Sequence, residues 1–157
     1  MVLETGLTRL CTAIFCFICY SCSAENKIMD STTIDNIKLV ITESNGVCYL
    51  EYTADKKQVI ALQPNPPCYF VRRGGDKVIS FTYADVNVLS ALLVVGTPIS
   101  EQKRKEWNLG ATEYCGEKGQ GILISKSGIH VSTRILDGGV LCPRIGVDEK
   151  NYWHVAH

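Results

Sequence analysis

The chain is 157 residues long with 16 basic and 16 acidic side chains, so its formal net charge is zero. A length of this order supports one compact core and is short for two ordinary domains. The charge balance excludes the electrostatic footprint that draws proteins onto nucleic acid or anionic lipid, so neither is expected as a partner.

The amino-terminal segment reads as an address rather than as structure. Glu4 and Arg9 are the charged side chains ahead of Glu25, and Leu10 to Tyr20 is almost wholly apolar before the small residues of Ser21-Cys22-Ser23-Ala24. That layout predicts a secretory signal, residues 1–24, cleaved after Ala24. The apolar run is too short to cross a bilayer, which takes roughly 20 residues. Two rival readings use the same cysteines. Cys16, Cys19 and Cys22 have the C-x-x-C-x-x-C spacing of an iron–sulfur ligand set, but the fourth ligand and its proline are missing and the run is embedded in apolar residues. A lipoprotein signal would instead retain an acylated Cys22, tethering the chain weakly through a single lipid.

Residues 25–157 then form the expected single domain, secreted or periplasmic. It carries Cys48, Cys68, Cys115 and Cys142. In an oxidising compartment four cysteines read as two bridges out of three pairings. Cys48–Cys68 with Cys115–Cys142 is favoured because each closes a local segment, and loop-entropy arithmetic assigns each bridge about 3 kcal/mol. No N-x-S/T acceptor occurs in the chain.

The dominant period is two. Ile37, Leu39 and Ile41 alternate with Lys38, Val40 and Thr42, the Asn45-Gly46 pair interrupts, and Val47 to Tyr52 resumes, which predicts a hairpin about a tight turn. Val59 to Leu62 and Tyr69 to Val71 read as short strands around Gln63-Pro64-Asn65-Pro66-Pro67, whose prolines exclude a sheet interior. Lys77 to Tyr83 reads as the next strand. Val86 to Val95 is a nearly continuous apolar run, either buried strand or buried helix, with its valines favouring strand. Ser100 followed by Glu101 to Glu106 reads as a capped helix.

Gly116 to Gly121 is glycine-rich but precedes a strand, whereas a phosphate cradle must open a helix, so a surface loop is expected. Gly121 to Ser125 and Gly128 to Ile135 predict a second hairpin about Lys126-Ser127, with Ile129, Val131, Thr133 and Ile135 on one face and His130, Ser132 and Arg134 on the other. Asp137-Gly138-Gly139 reads as a turn, and Asp148 to His157 as one short helical turn. The expected fold is therefore all-β: a small antiparallel sandwich or barrel with at most one or two short helices and two disulfides.

Chemistry-bearing patterns are sparse. The nucleophile elbow, the H-E-x-x-H helix and both nucleotide-binding glycine motifs are missing from the sequence. His154 and His157, three apart, offer the start of a metal site without an assignable third ligand, and His130 reads as an exposed strand residue. No catalytic residue, metal or cofactor is expected. Binding surfaces are better represented. Arg72, Arg73 and Asp76 flank a Gly-Gly turn, and the two adjacent arginines suit a carboxylate on a partner. Arg104, in a Lys-Arg-Lys run beside Trp107, is a second candidate, and Tyr152 with Trp153 a third, because these residue types anchor interfaces.

The functional expectation is an exported, non-enzymatic protein that binds a protein partner, most concretely an inhibitor or immunity protein against a hydrolase or toxin. The alternatives are a small metal-dependent or hydrolytic enzyme using the carboxy-terminal histidines, and a structural component of a cell-surface assembly.

Overall fold

A computed structural model describes residues 26–157. The predicted signal, its cleavage after Ala24 and the question of Cys22 acylation lie outside the described residues. Two antiparallel sheets pack face to face. The first is a meander of β1 (Lys27–Ile34), β2 (Ile37–Ser44), β3 (Val47–Thr53) and β4 (Lys57–Ala61). The second runs β5 (Tyr69–Phe70), β7 (Val88–Pro98), β8 (Gly116–Ser125), β9 (Gly128–Leu141), with β6 (Phe81–Tyr83) also paired to β7. Two helices, α1 (Glu101–Glu106) and α2 (Glu149–Ala156), complete the chain. The all-β, disulfide-bonded expectation holds: Cys48 bonds Cys68 and Cys115 bonds Cys142.

The hairpin about Asn45-Gly46 forms because both turn residues take positive φ, which Asn tolerates and Gly adopts freely. Its inward residues Leu39, Ile41 and Leu50 meet Phe70, Leu92, Val94, Ile122 and Ile124 of the second sheet, and the Cys48–Cys68 bridge lies within that core. The second sheet has another buried face. Ala91, Leu93 and Val95 pack with Tyr152 and Val155 of α2. β7 is therefore continuously apolar from Ala91 to Val95 because Leu92 and Val94 line the sandwich while Ala91, Leu93 and Val95 lie beneath α2, as expected of a central strand covered on both sides.

Several elements differ from the sequence reading. β1 is an additional edge strand that the mixed polar run Lys27 to Ile34 does not announce. Lys77 to Tyr83 forms strand only from Phe81, with Val78 contributing one isolated bridge to Arg72. Gly116 to Gly121 is not a surface loop but the first half of β8, mostly buried. Its glycines are required by close approach: a Cβ at Gly116 would lie 2.2 Å from the Gly96 carbonyl oxygen, and one at Gly121 would lie 2.6 Å from Val155 Cγ2. Asp137-Gly138-Gly139 is likewise no turn, because β9 continues through it to Leu141 with a register shift opposite β8.

The alternation proposed along β9 fails for a related reason. Ile122 pairs with Val131 and Gln120 with Ile135, so Ser132 to Arg134 bulge opposite the lone Gly121. Ser132 is consequently buried, its hydroxyl accepting the Arg134 N–H at 3.0 Å, while Gln120 reaches across to the Ser132 carbonyl at 2.9 Å. Bulge and glycine together open the seat for Val155, and α2, capped by Asp148, extends over more than the single turn expected. α1 forms as predicted, with Ser100 accepting the Lys103 N–H at 3.2 Å.

Because Gly121 supports α2 by its lack of a side chain, Gly121→Ala is expected to lift the helix and destabilise the protein by about 1–3 kcal/mol. Urea unfolding checks this, and in a Val155→Ala background the same substitution should cost measurably less.

Candidate functional site

The first sheet approaches the second along one side through a single carboxylate. β1 slips register between Ile28 and Asp30, which turns Asp30 towards β5. Its Oδ2 accepts the Phe70 N–H at 2.9 Å, and its Oδ1 accepts Arg72 Nη2 at 2.6 Å and the Ser31 N–H at 2.7 Å. Arg72 also donates to the Ser31 carbonyl at 2.9 Å and to the Asp76 carbonyl. The pair is mostly covered, with side-chain exposures of 14% for Asp30 and 17% for Arg72. Arg72 thus has its guanidinium occupied within the chain.

Above this clasp opens a cleft of about 730 Å³. Tyr69, Arg72, Asp76, Thr112, Tyr114 and Arg144 face it. The rings of Tyr69 and Tyr114 meet edge to face at 5.0 Å, and the Tyr114 hydroxyl donates to the Pro67 carbonyl at 2.6 Å. Burial, with Tyr69 adding to it, pushes the Tyr114 phenol well above its ordinary range, so it stays a neutral donor.

The cleft walls are loops with pinned backbones. Cys115 and Cys142 join the segment bearing Tyr114 to the segment bearing Arg144. The Arg72 N–H donates to the Pro143 carbonyl at 2.7 Å, and the Ile145 and Gly146 amides both return to the Cys142 carbonyl. Arg104 shapes the opposite wall by donating to the Gly110 carbonyl and, at 2.8 Å, to the Glu113 carbonyl. Arg144 differs from both: it is exposed and makes no hydrogen bond or ion pair among the described residues. The described lining holds no histidine or cysteine. The groups it presents are guanidinium, phenol and carboxylate.

The other residues selected from sequence are scattered. Arg73 and Asp76 are exposed on the turn between β5 and β6, with Asp76 on the cleft rim. Trp107, 61% exposed, follows α1. Tyr152 is fully buried against Phe81 at 4.8 Å, and burial pushes its phenol up, so it serves the core beneath α2. Trp153 is 51% exposed. Asp30, Tyr69, Tyr114 and Arg144 were not singled out from sequence. A signal existed for three of them: Tyr69 follows Cys68, Tyr114 precedes Cys115, and Arg144 lies two beyond Cys142, so the disulfides fix their positions.

The carboxy-terminal histidines do not converge on a metal. His157 Nε2 lies 2.8 Å from Asp85 Oδ2, and its Nδ1 lies 2.9 Å from the Trp153 carbonyl. Both partners only accept, so the two contacts are complete when both ring nitrogens carry protons, and in that state neither is left for a ligand. His154 is exposed, and the described residues contain no group of three His, Cys, Asp or Glu side chains placed to hold an ion. The imidazolium also stacks on Trp153 at 4.4 Å, latching the end of α2 to the 3₁₀ turn Ala84–Val86.

At the far end of the sandwich a second cleft of about 400 Å³ opens between Ile37, Tyr52 and Ile129, with Lys56 and Gln58 at its rim. No helix among the described residues is long and apolar enough to cross a membrane. No protein-family model, curated protein or solved structure matches the chain.

Two outcomes are expected from this geometry. Asp30→Ala orphans Arg72 and the Phe70 N–H and should destabilise the fold by about 2–3 kcal/mol in chemical denaturation, with Asp30→Asn losing less. The latch should respond to pH. The Asp85 carboxylate first, then the Trp153 carbonyl, hold His157 above its ordinary value of 6.5, against smaller opposing effects of desolvation and then of the Arg134 charge. A raised pKa in the folded state means that this stabilisation is complete below pH 6.5 and fades as pH rises through the elevated value. Asp85 is itself held below its ordinary value by the same contact, so the pair also weakens in strong acid. Unfolding midpoints taken across that range should fall on the alkaline side in the native chain, and flatten in His157→Gln.

Proposed function

We propose that the protein is exported and acts by binding a protein partner, as an inhibitor or immunity protein does, through the cleft above the Asp30–Arg72 clasp. The observation that carries this reading is a recess of about 730 Å³ whose walls are backbone-pinned loops presenting two tyrosines and an unpaired arginine. Tyr and Arg are the residue types that dominate interface energetics, and a rim held by a disulfide loses little conformational entropy on binding. Two disulfides fit an oxidising compartment, consistent with removal of residues 1–24 on export.

Enzymatic readings have less to draw on. The cleft lining offers no activated nucleophile, and both nitrogens of His157 are occupied.

The test is affinity capture from extracellular or periplasmic extract with three forms of the disulfide-bonded protein. Native chain and Gln58→Trp, which obstructs the far cleft, should retain the same specific protein. Thr112→Trp, which obstructs the near cleft at an exposed position, should lose it. Absence of specific capture, or capture indifferent to Thr112→Trp, overturns the reading.

A further inference from the structure

The ligand chemistry of the cleft follows from how its charges are allotted. Arg72 is neutralised by Asp30 at 2.6 Å and Arg104 is committed to backbone carbonyls. Asp76 adds a second carboxylate at the rim. Arg144 is then the one lining cation without an internal acceptor among the described residues. A side chain in that condition usually sits on a mobile loop, but this one does not. Its neighbours Pro143, Ile145 and Gly146 are hydrogen-bonded to Arg72 and Cys142, and Cys142 is covalently tied to Cys115. The fold holds the arginine's backbone and leaves its guanidinium free.

We propose, building on the protein-binding reading above, that the partner inserts a single Asp or Glu side chain with an apolar neighbour, the carboxylate pairing with Arg144 and the apolar group packing on Tyr69, Tyr114 and Met29. The planar fork of arginine matches a carboxylate through two parallel N–H donors. The count of charges selects a monoanion. The lining charges, Asp30 and Asp76 against Arg72 and Arg144, already balance, so a phosphate dianion would bring twice the excess negative charge that one carboxylate brings to the single unpaired guanidinium. Met29, half-buried in the same lining, supplies apolar area. Such a combination of aromatic wall, apolar side chain and lone arginine fits a protein segment better than a small polar metabolite.

The experiment is an amide-resolved NMR titration of the disulfide-bonded protein with acetyl-Leu-Glu-Leu-amide, acetyl-Leu-Gln-Leu-amide and inorganic phosphate. The Glu peptide should shift the amides of Tyr69, Thr112, Tyr114 and Ile145 to saturation. The Gln peptide should bind about tenfold more weakly, and Arg144→Gln should weaken the Glu peptide by a similar factor, as loss of one charge-assisted pair implies. Arg144 is exposed and unpaired, so its substitution should leave the unfolding midpoint unchanged. Equal response to both peptides, shifts located elsewhere, indifference to Arg144→Gln, or tighter binding of phosphate than of the Glu peptide would overturn the assignment. The outcomes separate from those of the parent reading. Protein capture that is blocked by Thr112→Trp but untouched by Arg144→Gln removes the anchor and keeps the binding function; a saturating Glu-peptide response at the cleft with no protein captured removes the function and keeps the carboxylate site.

Discussion

The constraint from which the architecture follows is that β7 must be buried on both faces. An eleven-residue strand whose residues are nearly all apolar cannot stand at a sheet surface. Leu92 and Val94 demand a second sheet on one side; Ala91, Leu93 and Val95 demand a cover on the other. The meander of β1 to β4 meets the first demand and α2 the second. α2 in turn fits because Gly121 leaves β8 low beneath Val155, and because the Ser132 to Arg134 bulge opens β9 beside it.

Fixing β7 at the centre also decides where a recess can form. The meander has to be joined to β5 at one side, and the join is made by the Cys48–Cys68 bridge in the core and by Asp30 at the edge. Asp30 draws in the Phe70 amide and Arg72 at one point, so the strands separate beyond it and the loops after Arg72, Gly110 and Cys142 surround the gap. The cleft is thus the place where sheet pairing stops. Its stiffness comes from elements placed for folding: the second disulfide, the Pro143 carbonyl and Arg104.

Much of the fold was legible because it depended on local patterns. Asn45-Gly46, the alternation in β2 and the Ser100 cap each act over a few residues, the two disulfides close segments of 20 and 27 residues, and each appeared where expected. What escaped depended on distant neighbours. Gly116 to Gly121 has loop composition, and only the arrival of Gly96 and Val155 at its surface explains why glycine is needed in a strand there. β1 has weak alternation because Asp30 faces inward, a direction that makes sense only once Arg72, 42 residues later, is seen to meet it. The candidate site was half legible for the same reason. The turn from Arg72 to Asp76 was found from its charges, while Tyr69 on β5 and Tyr114 and Arg144 on two separate loops were hidden until the fold and the Cys115–Cys142 bridge brought them together.

Arginine shows how far composition can carry a functional argument and where packing takes over. Arg72, Arg73, Arg104 and Arg144 are equivalent in sequence terms, each a charged fork near a turn. In the folded chain Arg72 neutralises a covered carboxylate and Arg104 organises carbonyls of an irregular loop, roles that exploit the five donors of the guanidinium and leave little for a partner. Such arginines belong to the scaffold even though they line or adjoin the recess. The residue available for recognition is the one whose backbone the scaffold restrains and whose side chain it does not use. That condition selects Arg144 over its more conspicuous neighbours, because a guanidinium already paired would have to break an internal contact before it made an external one, and the exchange would yield little net affinity.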